Sequence, residues 1–306
     1  MLRYIEQRLV AATITLFGVT IIVFLMLHLL PGDPARVIAG LLATEEDVAH
    51  LRTQLGLNQP LIVQYGNFLG NLLHGNLGIS ARTSQPVLDE VLARLPATLQ
   101  LALLSTAIAS FFGIIGGVIA ATHHNSIIDY LTSALTLFGS SMPAYWLGLM
   151  LIILFAVNLQ ILPAAGNEGP ASFILPSLTL AAFSIALITR MTRSSMLEVL
   201  HQDYVRTARA KGIQERGVLF HHALKNALIP VITVIGLQFG TLLGGAVLTE
   251  SVFGWPGVGQ LLLNSISARD YPTVQGVVLV FSAMFILLNL VVDMLYAYLD
   301  PRIRYG

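Results

Sequence analysis

Six apolar stretches, each about as long as a bilayer is thick, constrain this chain more than any other feature of its sequence. The hydrocarbon core of a membrane is roughly 30 Å thick, and a helix of about twenty apolar residues crosses it. That template matches approximately residues 9–30, 97–121, 133–157, 172–194, 228–250 and 276–298. Since 55% of the 306 residues are hydrophobic and only 10% are charged, the composition also differs from that of soluble domains. We therefore expect an all-α integral membrane protein with six transmembrane helices.

The Lys and Arg residues predict the orientation of these helices, because short loops rich in them stay in the cytoplasm. Two of the 16 precede the first stretch, seven lie between Arg190 and Lys225, and two follow the last stretch. Four of the others share the loop 31–95 with six acidic residues. We therefore expect both termini and the segment 190–226 in the cytoplasm, and the loop 31–95 on the other side of the membrane.

The loop 31–95 has the pattern of a small helical cap. Thr44 is placed to cap a helix with acidic residues in its first turn, and Gly56 supplies a stop. The apolar face of that helix comprises Val48, Leu51 and Leu55. Further helices are expected at about 60–73 and at 84–95, where the chain approaches the second apolar stretch. A disordered connector is the alternative, although such segments rarely keep this periodicity.

These expectations divide the chain into three parts. Residues 1–30 form the N-terminal segment and first transmembrane helix, 31–95 the extracytoplasmic segment, and 96–306 a five-helix core that includes a cytoplasmic loop at 195–227.

Glycines recur four residues apart inside the apolar stretches, a spacing that lets helix backbones approach closely in lipid. They are Gly113 and Gly117 in the second stretch and Gly236, Gly240 and Gly244 in the fifth.

Patterns typical of catalysis or of cofactor binding are missing from the sequence. It contains no phosphate-binding G-x-x-x-x-G-K-[ST], no H-E-x-x-H and no G-x-S-x-G. It has no cysteine, and its His123–His124 and His221–His222 pairs are adjacent rather than three or four apart. We expect no catalytic residues, no metal and no cofactor in this chain. The hypothesis that the chain is an intramembrane hydrolase is therefore a weak one, and we rank it last.

Ionisable residues do not occur at the middle of any apolar stretch, where a proton or ion relay would need them. Glu250 and Asp293 lie near the ends of the fifth and sixth stretches, where we expect them to reach water. This lack of a relay weakens the hypothesis of an ion-coupled secondary transporter that works without an ATPase. We keep that hypothesis as an alternative for the function of the chain. Candidates for a wettable pathway are Ser140, Ser141, Pro143, Ser184, Gln238 and Gly244. The same residues also suit hydrogen bonds between helices.

The segment DYVRTARAKG, residues 203–212, predicts a short basic helix between two apolar stretches. Gly212 can end it in the left-handed conformation. Ala208 and Ala210 give it a small knob that suits a groove in a partner, and its arginines can pair with carboxylates around such a groove. Attraction to anionic lipid is the alternative, but lipid does not require small residues at set places.

This segment, followed by HHALKNALIPVIT, resembles the cytoplasmic coupling loop of ATP-binding-cassette importer permeases, in the form used by the dipeptide, oligopeptide, nickel and glutathione branch. The broad family pattern has E-A-A, three residues, Gly, and a Pro about thirteen positions later. Here Arg206, Thr207 and Ala208 stand at the E-A-A positions and Pro230 follows Gly212 by 18 residues, so the fit is to the branch. Other matching stretches are HLLPGDPA, LGLNQPLIVQYGNFL, GNLGIS, ILPSLTLA, ESVFGWPGVGQLL, RDYP and DPRIRYG.

The resemblance implies the fold and the mode of action of a type I importer permease. Such a subunit pairs with a second, homologous permease, receives substrate from an extracytoplasmic binding protein, and is driven by two ATPase subunits that bind ATP and Mg. The resemblance also implies a location in the inner (plasma) membrane of a prokaryote. Short peptides are the expected substrate, with nickel, a nickel chelate or glutathione as alternatives. The residues expected to dock the ATPase are Asp203, Tyr204, Arg206, Thr207, Ala208, Arg209, Ala210, Lys211, Gly212 and Ile213.

Overall fold

The computed structural model describes residues 2–29, 34–39, 43–54 and 56–299, and these residues form helices joined by turns. The α-helices are α1 (Leu2–Leu29), α2 (Pro34–Ala39), α3 (Glu45–Gln54), α4 (Leu61–Leu73), α5 (Val87–Thr122), α6 (Ile127–Ser141), α7 (Ala144–Leu151), α8 (Ile174–Leu200), α9 (Asp203–Ala210), α10 (Glu215–Gly217), α11 (Lys225–Val252), α12 (Val258–Ser267) and α13 (Tyr271–Leu299). Two π-helical turns, Ile152–Asn158 and Val218–Leu224, continue α7 and α10. The predicted Leu55 and the motif DPRIRYG lie outside the described residues.

Five helices in the described part of the chain are long and apolar enough to cross a membrane, and there are six such spans when a bent pair of helices is counted as one. Five of the six predicted stretches coincide with single long helices. The third, predicted at 133–157, consists of α6 and α7 with its π-helical turn, bent by 103°. Met142 is extended at the break (φ −84°, ψ 132°) because the ring of Pro143 disfavours a helical residue before it.

The chain divides into two compact units. One comprises Leu99–Trp255 and the chain from Val291, and the other comprises Leu2–Thr98 and Pro256–Leu290. In the first unit, α8 packs against α6, α7 and α11. Two of the predicted close approaches lie here, since a Cβ at Gly113 would come within 2.7 Å of Ile188 and one at Gly117 would clash with Thr192. Gly244, by contrast, has nothing within 4 Å of a Cβ position.

The second unit has an apolar core and a buried polar cluster. Val87, Val91, Val258, Leu261 and Val277 form the core. The cluster surrounds Asp270, whose carboxylate accepts hydrogen bonds from the Ser80 hydroxyl (2.5 Å), the Ala81 amide (3.1 Å) and the Thr273 hydroxyl (2.8 Å). These bonds satisfy an acidic side chain that is only 2% exposed. The bond from Ser80 joins parts of the chain that are 190 residues apart.

The segment between the first two membrane-spanning helices contains the predicted helices and one more. Thr44 caps α3 as expected, because its hydroxyl accepts from the Asp47 amide at 3.2 Å while the Asp47 carboxylate accepts from the Thr44 amide at 2.9 Å. The Thr44 hydroxyl also donates to the Asp47 carboxylate at 2.7 Å, and this bond, together with the one from the Thr44 amide, holds the pKa of Asp47 below its usual range. The helix expected at 84–95 is the first part of α5, which runs without interruption into the second apolar stretch. Neither α2 nor α12 was predicted.

Candidate functional site

The basic segment forms a separate helix, α9, with a defined end. Asp203 lies in its first turn and Arg209 in its last, each of the sign that the helix dipole favours. Gly212 has φ +75°, in the left-handed region. Its amide donates to the Arg209 carbonyl at 2.9 Å, and the Ile213 amide donates to the Ala208 carbonyl at 3.3 Å. This is the Schellman ending that glycine permits at little cost.

One face of α9 is buried against its own chain. Val205 (0% exposed) and Ala208 (5%) pack against Val218 (0%), with Val199 and Leu200 alongside. The Ala208 methyl is therefore part of this internal contact, which corrects the interpretation of Ala208 as part of an exposed knob. Ala210, on the other face, is exposed. The small size of Ala208 suits the close approach of α9 to the turn containing Val218.

The opposite face of α9 is exposed and basic. It comprises Asp203, Tyr204, Arg206, Thr207, Arg209, Ala210 and Lys211, with Gly212 and Ile213 beyond its end. Arg209 donates two hydrogen bonds to the Glu215 carboxylate, at 2.7 and 3.2 Å, and this pairing raises the pKa of the guanidinium. Arg206 lies 3.4 Å from the Asp203 carboxylate, with both side chains largely in solvent, where such a pair contributes little stability. Lys211 has no ion pair with any described residue.

Contacts at both ends connect α9 to long helices of the same unit. Only His201 and Gln202 separate it from α8. The Tyr204 hydroxyl accepts a hydrogen bond from the Asn226 side chain, at 3.0 Å, in the first turn of α11. The contact of Val205 with Val218 adds an apolar contact to the π-helical turn that leads into α11. The helix α9 is thus attached to both α8 and α11.

The predicted pathway residues are only partly brought together. Ser184 of α8 is buried and donates to the Gln238 Oε1 of α11 at 3.1 Å. Thr241, which the sequence did not suggest, lies beside them, with its hydroxyl 3.3 Å from the same oxygen. Ser140 and Ser141 instead donate to the Leu137 carbonyl of their own helix, at 3.0 and 2.8 Å. Pro143 forms the break between α6 and α7, and Gly244 is exposed on α11.

An ion pair that the sequence did not predict joins α6 to α8. Asp129 is 2% exposed and accepts hydrogen bonds from Arg193 Nε at 2.6 Å and Nη2 at 2.7 Å. The Asn125 amide donates to the same carboxylate at 3.0 Å, and His124 Nδ1 lies 3.3 Å from it. His124 is thus part of this cluster, with 44% of its side chain exposed. No group of side chains in the described parts of the chain has the arrangement of a metal site.

The position of Glu250 also differs from the expectation. It lies near the end of α11 and is fully buried (0% exposed) rather than in contact with water. A buried carboxylate requires partners, and Glu250 has interactions within the protein. Its burial is consistent with a structural position at the end of this helix.

Two family models match nearly the whole chain. The model described as "Binding-prot-dependent transport system membrane comp, N-term" matches residues 1–102, and "Binding-protein-dependent transport system inner membrane component" matches residues 113–305. This chain belongs to that permease family. The permease is therefore a multi-pass protein of the inner membrane. The family resemblance inferred from the coupling loop and the outer motifs is confirmed.

Curated relatives of the permease match it from end to end. The glutathione transport system permease protein GsiC of Escherichia coli O6:H1 (strain CFT073) is 48% identical over 305 residues, covering 100% of both chains. GsiC of E. coli strain K12 and of Shigella dysenteriae serotype 1 match with the same identity and coverage. The permease therefore lies in the peptide, nickel and glutathione branch of ABC importers.

Solved structures share the fold of the permease at low sequence identity. An amino acid ABC transporter matches with a TM-score of 0.53 and 17% identity, covering 70% of this chain and 94% of that one. The MetNI methionine ABC transporter, in an inward-facing conformation, matches with a TM-score of 0.56 and 17% identity, covering 69% and 96%. The expected type I importer fold is confirmed. An importer permease works with ATPase and substrate-binding components, so the ion-coupled alternative is not favoured.

Proposed function

We propose that this permease imports glutathione or a closely similar short peptide. The observation that carries the proposal is 48% identity, without a gap in coverage, to a protein named for glutathione transport. The sequence alone favoured short peptides, and glutathione is a short peptide with two carboxylates and one amine. Nickel or a nickel chelate is the less favoured substrate, because the described residues contain no cluster with the spacing of metal ligands.

Uptake of labelled glutathione tests this substrate. The permease is expressed with the genes adjacent to its own in cells that lack their glutathione importer, and uptake is compared with that of the same cells without the permease gene. Excess unlabelled glutathione should abolish the signal, while a dipeptide or nickel salt should leave it unchanged. If dipeptides reduced the uptake and unlabelled glutathione did not, the substrate would be a dipeptide. Uptake in the absence of the ATPase subunits would contradict the importer mechanism.

We further propose that the exposed face of α9 docks in an ATPase subunit. What supports this role is a short helix that presents charged groups on one side, while its other side is held by Val205 and Ala208. ATP and Mg then bind to the ATPase partners, and this chain contributes no catalytic residue and binds no cofactor. When the ATPase dimer closes, α9 moves as a rigid body with α8 and α11, which changes the side on which the pathway opens.

The remaining partners and the topology complete the proposal. A second permease pairs with this one, both termini and the α9 loop (195–227) face the cytoplasm, and the segment 31–95 faces outward to meet the binding protein. The positive-inside distribution of Lys and Arg supports this topology. A tag on the chain should recover the second permease and two ATPase subunits from native membranes. The purified permease alone should show no ATP hydrolysis, whereas the recovered complex should hydrolyse ATP.

The pathway proposal centres on two of the six residues chosen from the sequence, Ser184 and Gln238. Ser184 and Gln238, with Thr241, form a polar pair between α8 and α11 at membrane depth. A buried hydroxyl and an amide at this depth suit the backbone groups of a peptide. Ser140, Ser141, Pro143 and Gly244 stay in the proposal as parts of the surface nearby along α6, α7 and α11. Gln238→Leu should raise the Michaelis constant for uptake without lowering expression.

A further inference from the structure

A cavity of about 410 Å³ lies between α6 and α8, beside the Asp129–Arg193 pair. Its lining residues are Ser133, Thr136, Leu137, Arg190 and Arg193. The cavity combines two guanidinium groups, two hydroxyls and an apolar wall. Such a combination suits an oxyanion that is attached to an apolar group.

The two arginines of this cavity have different surroundings. Arg193 is paired with the buried carboxylate of Asp129, so its charge is compensated. Arg190 is exposed and makes no hydrogen bond or ion pair with any residue that the structure describes. The three ionised groups therefore sum to one positive charge, carried on Arg190. A ligand with a single negative charge, such as a phosphodiester, balances it.

The hydroxyls differ in the same way. Thr136 donates its proton to the Ser133 carbonyl at 2.8 Å. The Ser133 hydroxyl itself has no hydrogen-bond partner among the described residues, and Ser133 is exposed. One guanidinium and one hydroxyl are thus available to donate to oxygens of a ligand. Leu137, 64% exposed, provides the apolar wall beside them.

The depth of the cavity matches the edge of a bilayer. The stretch of α8 from Ile174 to Thr189 has no charged residue, and at 1.5 Å per residue it spans about 24 Å. Arg190 follows it directly, at a distance close to the roughly 30 Å thickness of the hydrocarbon core. Exposed apolar side chains continue along α6 from the same region. They include Leu131, Leu135 and Phe138, exposed by 59%, 71% and 64%.

The cavity is also separate from the Ser184–Gln238 pair. Arg190 follows Ser184 by six residues, which corresponds to about 9 Å along the helix and roughly 120° around it. Ser184 faces α11, whereas Arg190 lines the cavity with residues of α6. A solute in the central pathway would therefore not reach Arg190 from the Ser184 side.

We propose that this cavity binds the phosphodiester of an anionic membrane phospholipid, with Arg190 and Ser133 donating to the phosphate oxygens and an acyl chain lying along Leu137 and the exposed face of α6. The lipid fills the space between α6 and α8 beside the Asp129–Arg193 pair. It thereby supports the packing of α6 on α8, the helix that moves with α9 in the proposed transport cycle.

Lipid titration of the purified importer complex tests this site. Phosphatidylglycerol is added to the delipidated complex, and the bound lipid is counted by native mass spectrometry. The variant Arg190→Gln removes the uncompensated charge, and Arg216→Gln is the control, since it removes one exposed charge outside the cavity. We expect one phosphatidylglycerol to bind about tenfold more weakly to R190Q, as the loss of a charge-assisted hydrogen bond predicts. The R216Q complex should bind as the wild type does. Ser133→Ala should weaken binding by a smaller factor.

Other outcomes overturn the proposal. Equal phosphatidylglycerol binding by R190Q and the wild type would show that the lipid does not bind in this cavity. If R190Q instead left lipid binding unchanged and raised the Michaelis constant for glutathione uptake, the cavity would be a site for a solute carboxylate. If inorganic phosphate alone, at millimolar concentration, displaced phosphatidylglycerol from the wild type, the site would select a free anion and not a lipid. Thermal unfolding of R190Q at the wild-type temperature ensures that these comparisons concern folded protein.

Discussion

Arg193 of α8 holds Asp129 of α6 by two hydrogen bonds, of 2.6 and 2.7 Å, across 64 residues of sequence. Removal of either partner leaves a charge next to apolar helices. Since Arg193 keeps 28% of its side chain exposed, we expect Asp129→Asn or Arg193→Gln to cost about 2 kcal/mol, less than for a fully buried pair. The double variant should cost less than the sum of the two. A double-mutant cycle by thermal unfolding measures this coupling, and strictly additive costs would contradict it.

Ala208 and Ala210 make a matched pair of test positions on α9. Ala208→Trp has no room beside Val218, so it should lower the unfolding temperature and displace the helix. Ala210→Trp projects from the exposed face, so it should leave stability unchanged but reduce substrate-stimulated ATPase activity at least tenfold, if that face docks in the ATPase. Both quantities are measured on the reconstituted complex. Normal coupling in the folded A210W complex would argue against docking through this face.

Gly212 is required for its backbone conformation rather than for space. A Cβ there meets nothing within 4 Å, yet φ is +75°. Gly212→Val should therefore destabilise the end of α9 by about 1–2 kcal/mol, and Gly212→Asn should cost much less because asparagine tolerates this region. Hydrogen exchange of the α9 amides measures the first effect, and ATPase stimulation measures its consequence for coupling. Equal exchange in the two variants would show that the left-handed ending does not determine the stability of α9.

Added side-chain volume should destabilise the protein at Gly117 and have little effect at Gly244. A Cβ at Gly117 clashes with Thr192 and also comes within 2.7 Å of the Thr189 carbonyl. Gly117→Ala should thus destabilise the protein by about 1–3 kcal/mol through overpacking. Gly244→Ala should leave stability within about 0.5 kcal/mol of the wild type, since nothing lies near. A Gly117→Ala protein that unfolds at the wild-type temperature would contradict this close packing of α5 on α8.

The parts of the fold that depend on local or summed properties were predictable from the sequence. The membrane-spanning helices follow from apolar length alone, and the ending of α9 at Gly212 depends only on neighbouring residues. The bend in the third span carried a signal in Pro143, which constrains Met142 before it. A residue pair such as Asp129 and Arg193 carried none, because nothing in a single sequence indicates which of many charged residues will meet across two helices.

The face of α9 that is buried was misread for a different reason. Val205 and Ala208 are three residues apart and therefore share a face, and Val205 is the single branched aliphatic residue between Asp203 and Ala210. That spacing favoured a buried side. The small size of Ala208, however, suits a docking contact with a partner as well as a close contact within the chain. Only the turn at Gly212, which brings Val218 back to α9, makes the burial evident.

The attachment of α9 to Val218 also bears on the thermodynamics of assembly. A flexible loop that became helical only on meeting an ATPase would lose its conformational entropy at that moment, which weakens affinity. Here the ordering cost is met when the chain folds, because Val205 and Ala208 are already buried and Gly212 already ends the helix. A partner then meets a preorganised shape, and its binding energy is available to move α8 and α11.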